Sequence, residues 1–328
     1  MRAALCTGHG RPADVVELID ESVREPGPDE VVVAIEAAPI HLSDIYYMRG
    51  VPGFTQRVPP YIPGRNGVGR VTAAGSNAGE FPVGSRVFLP RFVGSWRQRI
   101  VIEEKALQPA PEGVPAEQLA LVSGNLMTSY FLLKGIVTLN PGDWVLQNAA
   151  NSNCGLYVAR LARAWNLRTV NVVRREAAIA PVLNAGGDLV FLDGEDLAKR
   201  IGASPAGGQI RLALDPVAGA ATARIGACLG NEGTLVLYGL LSSETASVRI
   251  VDLMFNGISV VGYYNPRLFL RRSASDQRAL YVELGRIVSE EAYHAPLAAV
   301  YSIEEISVAL EHAEKVGSDR PGKIVIRM

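Results

Sequence analysis

From about residue 122 onward, short apolar runs alternate with longer amphipathic segments, and this alternation constrains the fold more than any other feature. The segments between the runs, such as 154–166 and 218–229, carry apolar residues at helical spacing. Strands that alternate with helices form a parallel sheet, so this part of the chain (122–264) is predicted to be an α/β domain with a doubly wound sheet of the nucleotide-binding type. The apolar runs that predict strands lie at 144–148, 169–173, 189–192, 211–214, 234–238 and 259–262.

The chain on either side of this domain has a different pattern. Residues 1–121 contain β-prone runs, at 31–35, 70–74 and 85–89, that are bounded by glycine and proline. After residue 264, helices are predicted at 276–289 and 303–315, and the chain closes on an apolar strand that follows Gly322. We expect that strand to return to the first domain. Residues 1–121 and 265–328 are therefore predicted to form one discontinuous domain.

Composition excludes several classes of protein. The 328 residues suffice for two domains, and 32 basic against 33 acidic residues argue against a nucleic-acid partner. Cys6, Cys154 and Cys228 lie far apart, which argues against a disulfide framework and a cysteine-rich zinc site. Neither a signal peptide nor an apolar run of roughly 20 residues is visible. We expect a cytoplasmic protein that acts on a small molecule and has no membrane partner.

The stretch NAANSNCG, residues 148–155, is a candidate phosphate-binding turn. It follows a predicted strand, precedes a predicted helix, and keeps the G-x-G-x-x-G spacing as Ala150, Ser152 and Gly155. Small side chains let the backbone approach a phosphate, which the helix N-terminus attracts. A plain structural turn remains the alternative. The candidate cofactor-binding residues here are Asn151, Ser152, Asn153, Cys154 and Gly155.

The end of the next predicted strand indicates which cofactor binds. An NAD-binding unit commonly has an acidic residue about 20 positions after the turn, where it bonds the ribose hydroxyls. Here the strand ends in Arg174 and Arg175. A guanidinium holds a 2′-phosphate that a carboxylate would repel, so the pair favours NADPH. The alternative is a solvated arginine pair at a strand end.

Several stretches resemble one family along nearly the whole chain. They are Ala38-Pro-Ile-His-Leu-Ser-Asp44, Pro63-Gly-Arg-Asn-Gly-Val-Gly-Arg-Val71, Val83-Gly-Ser-Arg-Val87, Asn140-Pro-Gly-Asp-Trp-Val-Leu-Gln-Asn-Ala149, 167–174 and 322–325. The chain resembles the zinc-free branch of the medium-chain dehydrogenase/reductases, which includes quinone oxidoreductases and trans-2-enoyl-CoA reductases. The resemblance implies a GroES-like β-barrel catalytic domain from the discontinuous part of the chain, followed by a Rossmann domain.

The resemblance also carries roles to particular residues. It implies that Asn125 and Thr128 face the nicotinamide and its phosphates, and that Tyr238 and Gly239 lie beside the nicotinamide ribose. For these four residues, helix capping and an ordinary turn are the alternatives. Tyr264 matches an aromatic residue that lines the acyl pocket of relatives.

The sequence gives no zinc site. In the zinc-dependent branch an early cysteine, a Gly-His-Glu motif and a later cysteine coordinate the metal. The matching places here read His41-Leu-Ser-Asp44 and Gly64-Arg-Asn-Gly67, and the cysteine cluster of the structural zinc site is missing. We therefore expect no metal.

The resemblance leaves the catalytic donor undecided. The enoyl-CoA reductases place a tyrosine just after the Asp44-like loop, where this chain has Pro52, and proline has no hydroxyl and no N–H to donate. Tyr46 or Tyr47 is a candidate replacement, although tyrosines here are also packing residues. His41 is a further candidate acid or donor; its alternative role is structural hydrogen bonding.

The expected activity is NADPH-dependent hydride transfer to an activated C=C bond of an enoyl thioester, enal or enone. A quinone oxidoreductase and a non-catalytic nucleotide-binding protein are the alternatives. We also expect a homodimer through the last Rossmann strand, residues 259–263, because this apolar run would lie at a sheet edge whose backbone groups invite pairing.

Overall fold

The structure is a computed structural model that describes residues 1–54, 57–315 and 320–328. It divides into two compact units. The Rossmann unit is Asn125–Arg272, and the split unit combines Met1–Gly124 with Ser273–Met328. The first boundary falls 3 residues and the second 8 residues after those expected from the sequence. The helix Asn265–Leu270 lies in the Rossmann unit, since it packs against the helix Met127–Lys134.

The strands of the described chain are β1 (Arg2–Cys6), β2 (Val16–Asp20), β3 (Glu30–Ile40), β4 (Val68–Ala74), β5 (Arg86–Phe88), β6 (Arg99–Glu103), β7 (Gln108–Pro109), β8 (Trp144–Gln147), β9 (Arg168–Val173), β10 (Leu189–Leu192), β11 (Ile210–Asp215), β12 (Thr234–Leu237), β13 (Ser259–Gly262), β14 (Leu297–Ser302) and β15 (Lys323–Arg327). The helices are α1 (Pro12–Val15), α2 (Leu42–Met48), α3 (Ala116–Ala120), α4 (Met127–Lys134), α5 (Asn153–Ala164), α6 (Ile179–Asn184), α7 (Leu197–Gly202), α8 (Ala220–Gly226), α9 (Ile250–Phe255), α10 (Asn265–Leu270), α11 (Ala274–Ser289) and α12 (Ile306–Glu314).

The Rossmann unit contains a six-stranded parallel sheet in the order β10-β9-β8-β11-β12-β13. Numbered within the unit, this order is 3-2-1-4-5-6, that of a doubly wound dinucleotide-binding fold. The central strand β8 is buried at every position, and its Trp144 and Leu146 belong to a hydrophobic core cluster. The six predicted strands and their parallel arrangement are confirmed. Since the strands are parallel, the loops after β8, β11 and β12 leave the sheet at the same edge.

The split unit is built around β3, which spans eleven residues. The sheet runs β14-β15-β3-β4-β5-β7, and β6 pairs with the same strand β3. The first half of β3 contributes Val31, Val33 and Ile35 to one apolar cluster, and its end contributes Ala38 and Ile40 to another. The terminal strand β15 pairs antiparallel with β3, which confirms the expected return of the chain to the first domain.

The predicted helices near the C-terminus differ slightly from those observed. Helix α11 begins before residue 276 because the Ser273 hydroxyl caps it by accepting from the backbone N–H of Asp276 at 3.1 Å. The segment predicted as one helix at 303–315 is a 3-10 turn, Ile303–Glu305, followed by α12. Ser302 and Glu305 form a capping box where that turn begins. Within the described residues, no helix has the length and apolar character that a membrane crossing requires.

Candidate active site

The turn between β8 and α5 is held by a helix cap. The Ser152 hydroxyl accepts a hydrogen bond from the backbone N–H of Gly155 at 3.1 Å, which satisfies one of the N–H groups that a helix leaves unpaired at its start. Helix α5 runs for 12 residues and is mostly buried. Its N-terminus, with Asn153 and Cys154 in the first turn, provides a positive dipole end toward an anion.

Gly155 permits a close approach of its backbone to the backbone of Ala150 that no other residue allows. A Cβ atom at this position would overlap the backbone of Ala150, including its carbonyl oxygen. Ala150 is fully buried, and Ala149 adopts a left-handed conformation with φ of 46°. The packing role expected for the third glycine of the motif fits this geometry, while alanine and serine occupy the other two positions of the turn.

Buried amide oxygens without partners mark the carboxyl edge of the Rossmann sheet. Asn125, Asn148 and Asn265 are each less than a tenth exposed, and the Oδ1 atom of each has no hydrogen-bond partner among the described residues. The amide nitrogen of each is already committed. It donates to Cys154 Sγ at 3.3 Å, to Asp215 Oδ1 at 2.8 Å and to Thr128 Oγ1 at 3.0 Å, respectively. A buried acceptor left unpaired costs about 1–3 kcal/mol, so these atoms suit a ligand that carries hydrogen-bond donors.

Tyr238 and Gly239 follow β12 at the same edge. Burial holds the pKa of the Tyr238 phenol well above its usual value, and nearby Cys154 and Asp215 act in the same direction. The Tyr238 hydroxyl therefore stays protonated, and it has no hydrogen-bond partner in the described part of the chain. A Cβ atom on Gly239 would overlap the backbone of Pro216, so this turn also requires glycine.

Arg174 and Arg175 follow β9 directly, and both side chains are exposed. Neither guanidinium has a hydrogen-bond or ion-pair partner within residues 1–54, 57–315 and 320–328. They are thus available to an anion at the end of the second strand of the unit. This availability agrees with both sequence interpretations, a 2′-phosphate site and a solvated pair.

These features of the Rossmann unit fit a dinucleotide. Gly155 and Gly239 leave room where backbone passes close to backbone, and the N-terminus of α5 favours phosphate. The unpartnered asparagine oxygens match donors such as ribose hydroxyls and a carboxamide. Asn151, Ser152 and the other residues of the turn provide backbone rather than charged side chains.

In the split unit, His41 and Asp44 begin α2 as a reciprocal capping box. The His41 N–H donates to Asp44 Oδ2 at 2.8 Å, and His41 Nε2 lies 3.0 Å from Asn66 Oδ1. The Asn66 amide nitrogen donates to the Ala120 carbonyl at 2.9 Å, which fixes the amide so that its oxygen faces the imidazole. His41 therefore carries its proton on Nε2 and donates it to Asn66.

Electrostatics keep His41 neutral. Burial, together with the positive charges of Lys323, Arg65 and Arg91, holds the pKa of the imidazole well below its usual value. Burial raises the pKa of Asp44 to about 6, although Arg65 and other cations act in the opposite direction. The sequence offered His41 as an acid or donor. The geometry directs its proton to Asn66 instead, so the catalytic role of His41 stays an untested prediction.

The two candidate tyrosines of α2 differ in burial. Tyr47 is 6% exposed and packs edge-on against Phe54 and Phe92. Tyr46 is half-buried, contacts Phe54, and has a raised pKa because of burial. Packing thus accounts for the position of Tyr47 more completely than for that of Tyr46. Tyr264 precedes α10 in the Rossmann unit and is 44% exposed.

Within the described residues, no three His, Cys, Asp or Glu side chains form a group that could hold a metal ion. The places that match zinc ligands of relatives hold His41 and Arg65, and a guanidinium is not a metal ligand. The expected absence of zinc stays a prediction that metal analysis tests.

The sheet order is that of a dinucleotide-binding fold, and comparison with known proteins shows an oxidoreductase. Residues 27–112 match the family model described as alcohol dehydrogenase GroES-like domain, and residues 154–276 match the one described as zinc-binding dehydrogenase. The chain is 30% identical over 324 residues to the mitochondrial enoyl-[acyl-carrier-protein] reductase of Homo sapiens, covering 96% of this chain and 86% of that protein. The chain belongs to the medium-chain dehydrogenase/reductase superfamily.

Solved structures share the fold. The complex of Etr1p with NADP and crotonyl-CoA has a TM-score of 0.88 at 22% identity, covering 100% of this chain and 99% of that one. A mycobacterial quinone oxidoreductase has a TM-score of 0.87 at 23% identity, covering all of both chains. At these identities the likeness establishes the fold, and the predicted combination of a GroES-like domain with a Rossmann domain is confirmed.

Sequence reasoning did not select Asn148, Asn265 or Arg65 as site residues. Asn148 opens the stretch 148–155 and could have been included on position alone. Asn265 directly follows Tyr264, but its link to Thr128 joins positions 137 residues apart, and no local pattern indicates it. Arg65 lies between two motif residues, Gly64 and Asn66, and its positive charge was the feature of the sequence that could have marked it as a site residue.

We predict that Gly155→Ala disrupts the turn between β8 and α5. The added methyl group would overlap Ala150, so the turn must shift, with an expected loss of about 1–3 kcal/mol in the free energy of unfolding. Nucleotide affinity should fall with it. Thermal melting with and without NADPH measures both effects.

The matched control is Gly202→Ala at the end of α7, where a Cβ atom would meet nothing within 4 Å. This control should keep the wild-type melting temperature and its increase with NADPH. A Gly155→Ala protein that behaves like the control would contradict the close-approach argument.

Proposed function

We propose that this protein is an NADPH-dependent, zinc-independent reductase of an activated C=C bond, in an enoyl thioester, enal or enone. The observation that carries the proposal is the set of buried, unpartnered oxygens of Asn125, Asn148 and Asn265 at the carboxyl edge of the Rossmann sheet. They lie in a chain that aligns over nearly all its length with an enoyl-[acyl-carrier-protein] reductase.

The chain's own residues bind and orient the cofactor, which supplies a hydride when bound. The asparagine oxygens would accept hydrogen bonds from its carboxamide or ribose hydroxyls and would so orient the nicotinamide ring. Gly155 and the N-terminus of α5 receive the pyrophosphate. Arg174 and Arg175 pair with the 2′-phosphate.

A quinone is the second candidate acceptor. Pro52 occupies the position at which the enoyl-CoA reductases of the family have a tyrosine donor, and this departure weakens the case for an enoyl thioester specifically. The mycobacterial quinone oxidoreductase has the same fold. The third candidate is a nucleotide-binding protein without catalytic activity, whose function would be to bind the cofactor.

A panel of acceptors tests the proposal. Protein dialysed exhaustively against a chelator is mixed with NADPH and, separately, with crotonyl-CoA, an enal, an enone and a quinone, while absorbance of the reduced nicotinamide is followed. We expect oxidation with at least one of the first three acceptors. Oxidation with the quinone alone would establish the alternative, and none at all despite NADPH binding would leave the non-catalytic reading. Activity that is lost when the chelator removes bound metal would contradict zinc independence.

We predict a preference for NADPH over NADH that depends on Arg174. A charge-assisted hydrogen bond contributes about 1.5–3 kcal/mol, so Arg174→Ala should raise the KM for NADPH by about 10-fold or more. The KM for NADH serves as the internal control and should not change, because NADH has no 2′-phosphate. Equal use of both cofactors by the unaltered protein would overturn the assignment.

We also propose a homodimer that pairs the β13 edges of two Rossmann units. β13 is an edge strand, and Val260 on it is 37% exposed. The preceding helix α9 adds exposed apolar side chains of Met254 (67%) and Phe255 (79%). An uncharged edge beside an exposed apolar surface invites pairing with another chain.

Val260→Lys is expected to convert the dimer into a monomer, because it puts two like charges at a two-fold interface. Light scattering at micromolar concentration measures the mass of each form. Val282→Lys, at a 57% exposed position on α11, is the matched control and should leave the mass unchanged. A monomeric unaltered protein would rule out the dimer, and a dimer that survives Val260→Lys would place the interface elsewhere.

A further inference from the structure

Arg65 has a rigidly held backbone in the split unit. Its carbonyl accepts from the backbone N–H of Phe92 at 2.6 Å. The preceding Gly64 has φ of 98°, and a Cβ atom there would overlap Ser95 and Trp96. Asn66, which follows, is buried and accepts on its carbonyl from the Ser95 hydroxyl at 2.8 Å. These contacts therefore fix the position of the Arg65 Cα atom, from which the side chain extends.

The Arg65 side chain is half-buried against aromatic rings. Its guanidinium carbon lies 4.4 Å from the centre of the Phe92 ring and 5.7 Å from that of Tyr47. A cation–π contact holds the charge without using its N–H groups as a hydrogen bond to an oxygen would. No hydrogen-bond or ion-pair partner for this guanidinium lies among residues 1–54, 57–315 and 320–328.

The other cations around His41 and Asp44 are committed to backbone oxygens. Arg57 donates to the carbonyls of Ile62 and Phe92. Arg91 donates to the carbonyl of Ser123 at 2.6 Å, and Lys323 to that of Ile40 at 3.3 Å. These bonds stabilise the loops on which the side chains lie. Arg65 differs from these three cations because, within the described chain, none of its guanidinium N–H groups has a hydrogen-bond partner.

The cluster as a whole is positive. Arg57, Arg65 and Lys323 all lower the pKa of Asp44, and Arg91 acts on His41 together with two of them. The Asp44 carboxylate opposes Arg65, Lys323 and Arg57, and burial together with nearby cations holds the pKa of His41 well below its usual value, so the imidazole is neutral. A half-buried cation with free donors in such surroundings stabilises an oxygen that gains negative charge, more strongly than it would in water.

We propose that Arg65 is a catalytic residue that donates hydrogen bonds to the carbonyl oxygen of the acceptor and stabilises it as an enolate oxygen. This inference rests on the proposed function, reduction of a C=C bond conjugated to a carbonyl. It gives the split unit the electrophilic group that Pro52 cannot supply.

The step balances as follows. The reduced nicotinamide, when bound, would supply the hydride that forms a C–H bond at the β-carbon of the acceptor, and the π electrons of the C=C bond would move toward the carbonyl oxygen. Arg65 holds the resulting negative oxygen and keeps its own protons, because a guanidinium does not ionise in proteins. Water then supplies the proton that forms the C–H bond at the α-carbon, and the carbonyl is restored. The acceptor is reduced by two electrons and the nicotinamide is oxidised by two.

Kinetics of three variants test the proposal. Removing one oxyanion-stabilising donor costs about 10²–10³ in kcat, so we expect a loss of this size in Arg65→Gln with an enone or enoyl thioester. Arg65→Lys keeps the charge and the aromatic contact and should lose less. Arg99→Gln removes an exposed positive charge from β6 of the same unit and should keep the wild-type kcat. An unchanged kcat in Arg65→Gln would overturn the proposal.

A spectroscopic measurement separates carbonyl polarisation from a structural role and from turnover. A cinnamoyl thioester is added to the protein without NADPH, and its absorption band is compared with that of the free ligand. A polarised carbonyl shifts the band to longer wavelength. We expect the shift in the unaltered protein and in Arg99→Gln, a smaller one in Arg65→Lys, and none in folded Arg65→Gln that still binds the ligand.

The two proposals fail differently. An unaltered protein that shifts the band but reduces no enone, enal or enoyl thioester would contradict the proposed function and leave the Arg65 contact standing. A protein that reduces these acceptors with no band shift, or with the same shift in Arg65→Gln, would contradict the role of Arg65. If Arg65→Gln melts at a lower temperature than Arg99→Gln, Arg65→Lys replaces it in the comparison with the unaltered protein. A wild-type kcat and a wild-type band shift in Arg65→Lys would also count against a specific role of the guanidinium.

Discussion

The hydrogen bonds of the Asp215 carboxylate, which is fully buried at the end of β11, are the interaction on which the carboxyl edge of the Rossmann sheet depends. It accepts from the backbone N–H groups of Val217 and Ala218, from the Thr222 hydroxyl and from the Asn148 amide. Burying a charge is costly unless such hydrogen bonds compensate it. The carboxylate links the turn after β8 to the turn after β11. Because it accepts the hydrogen bond of the Asn148 amide nitrogen, the Asn148 amide oxygen is left for a ligand.

A second set of buried polar groups links the neighbouring strands. The Gln147 amide nitrogen donates to Asn171 at 2.7 Å, and the Asn171 nitrogen donates to Thr169 at 3.0 Å and to the Leu189 carbonyl at 3.1 Å. The Gln147 nitrogen also donates to the Gly155 carbonyl at 2.9 Å. These bonds are satisfied in only one register of the strands, so they add to the register preference that the buried apolar side chains already impose. The start of α5 is thereby anchored to the centre of the sheet.

The split unit uses burial and charge in a different way. Its polar cluster keeps His41 neutral and bonded to Asn66, and most of its cations are bonded to backbone carbonyls. Fixed carbonyl acceptors and aromatic rings hold the positive charges close together, against their mutual repulsion. A pre-oriented positive group of this kind needs no rearrangement when charge develops on a bound molecule, which is the physical basis for assigning chemistry to Arg65.

The sequence by itself determined the parallel sheet, the return of the last strand and the packing glycine of the turn, because apolar periodicity and glycine spacing are local properties of the chain. The exposed arginine pair after β9 was predictable for the same reason. Only the tertiary structure decided which polar atoms remain unpaired. Asn125 and Cys154 are 29 residues apart, and Asn265 and Thr128 are 137 apart, so the hydrogen bonds that leave their oxygens free do not exist before the chain folds. The same holds for His41, which donates its ring proton to Asn66 and whose pKa is held low by burial and by cations on distant segments. A side chain's type is set by the sequence, but its partner, its burial and hence its chemistry depend on neighbours that folding brings together.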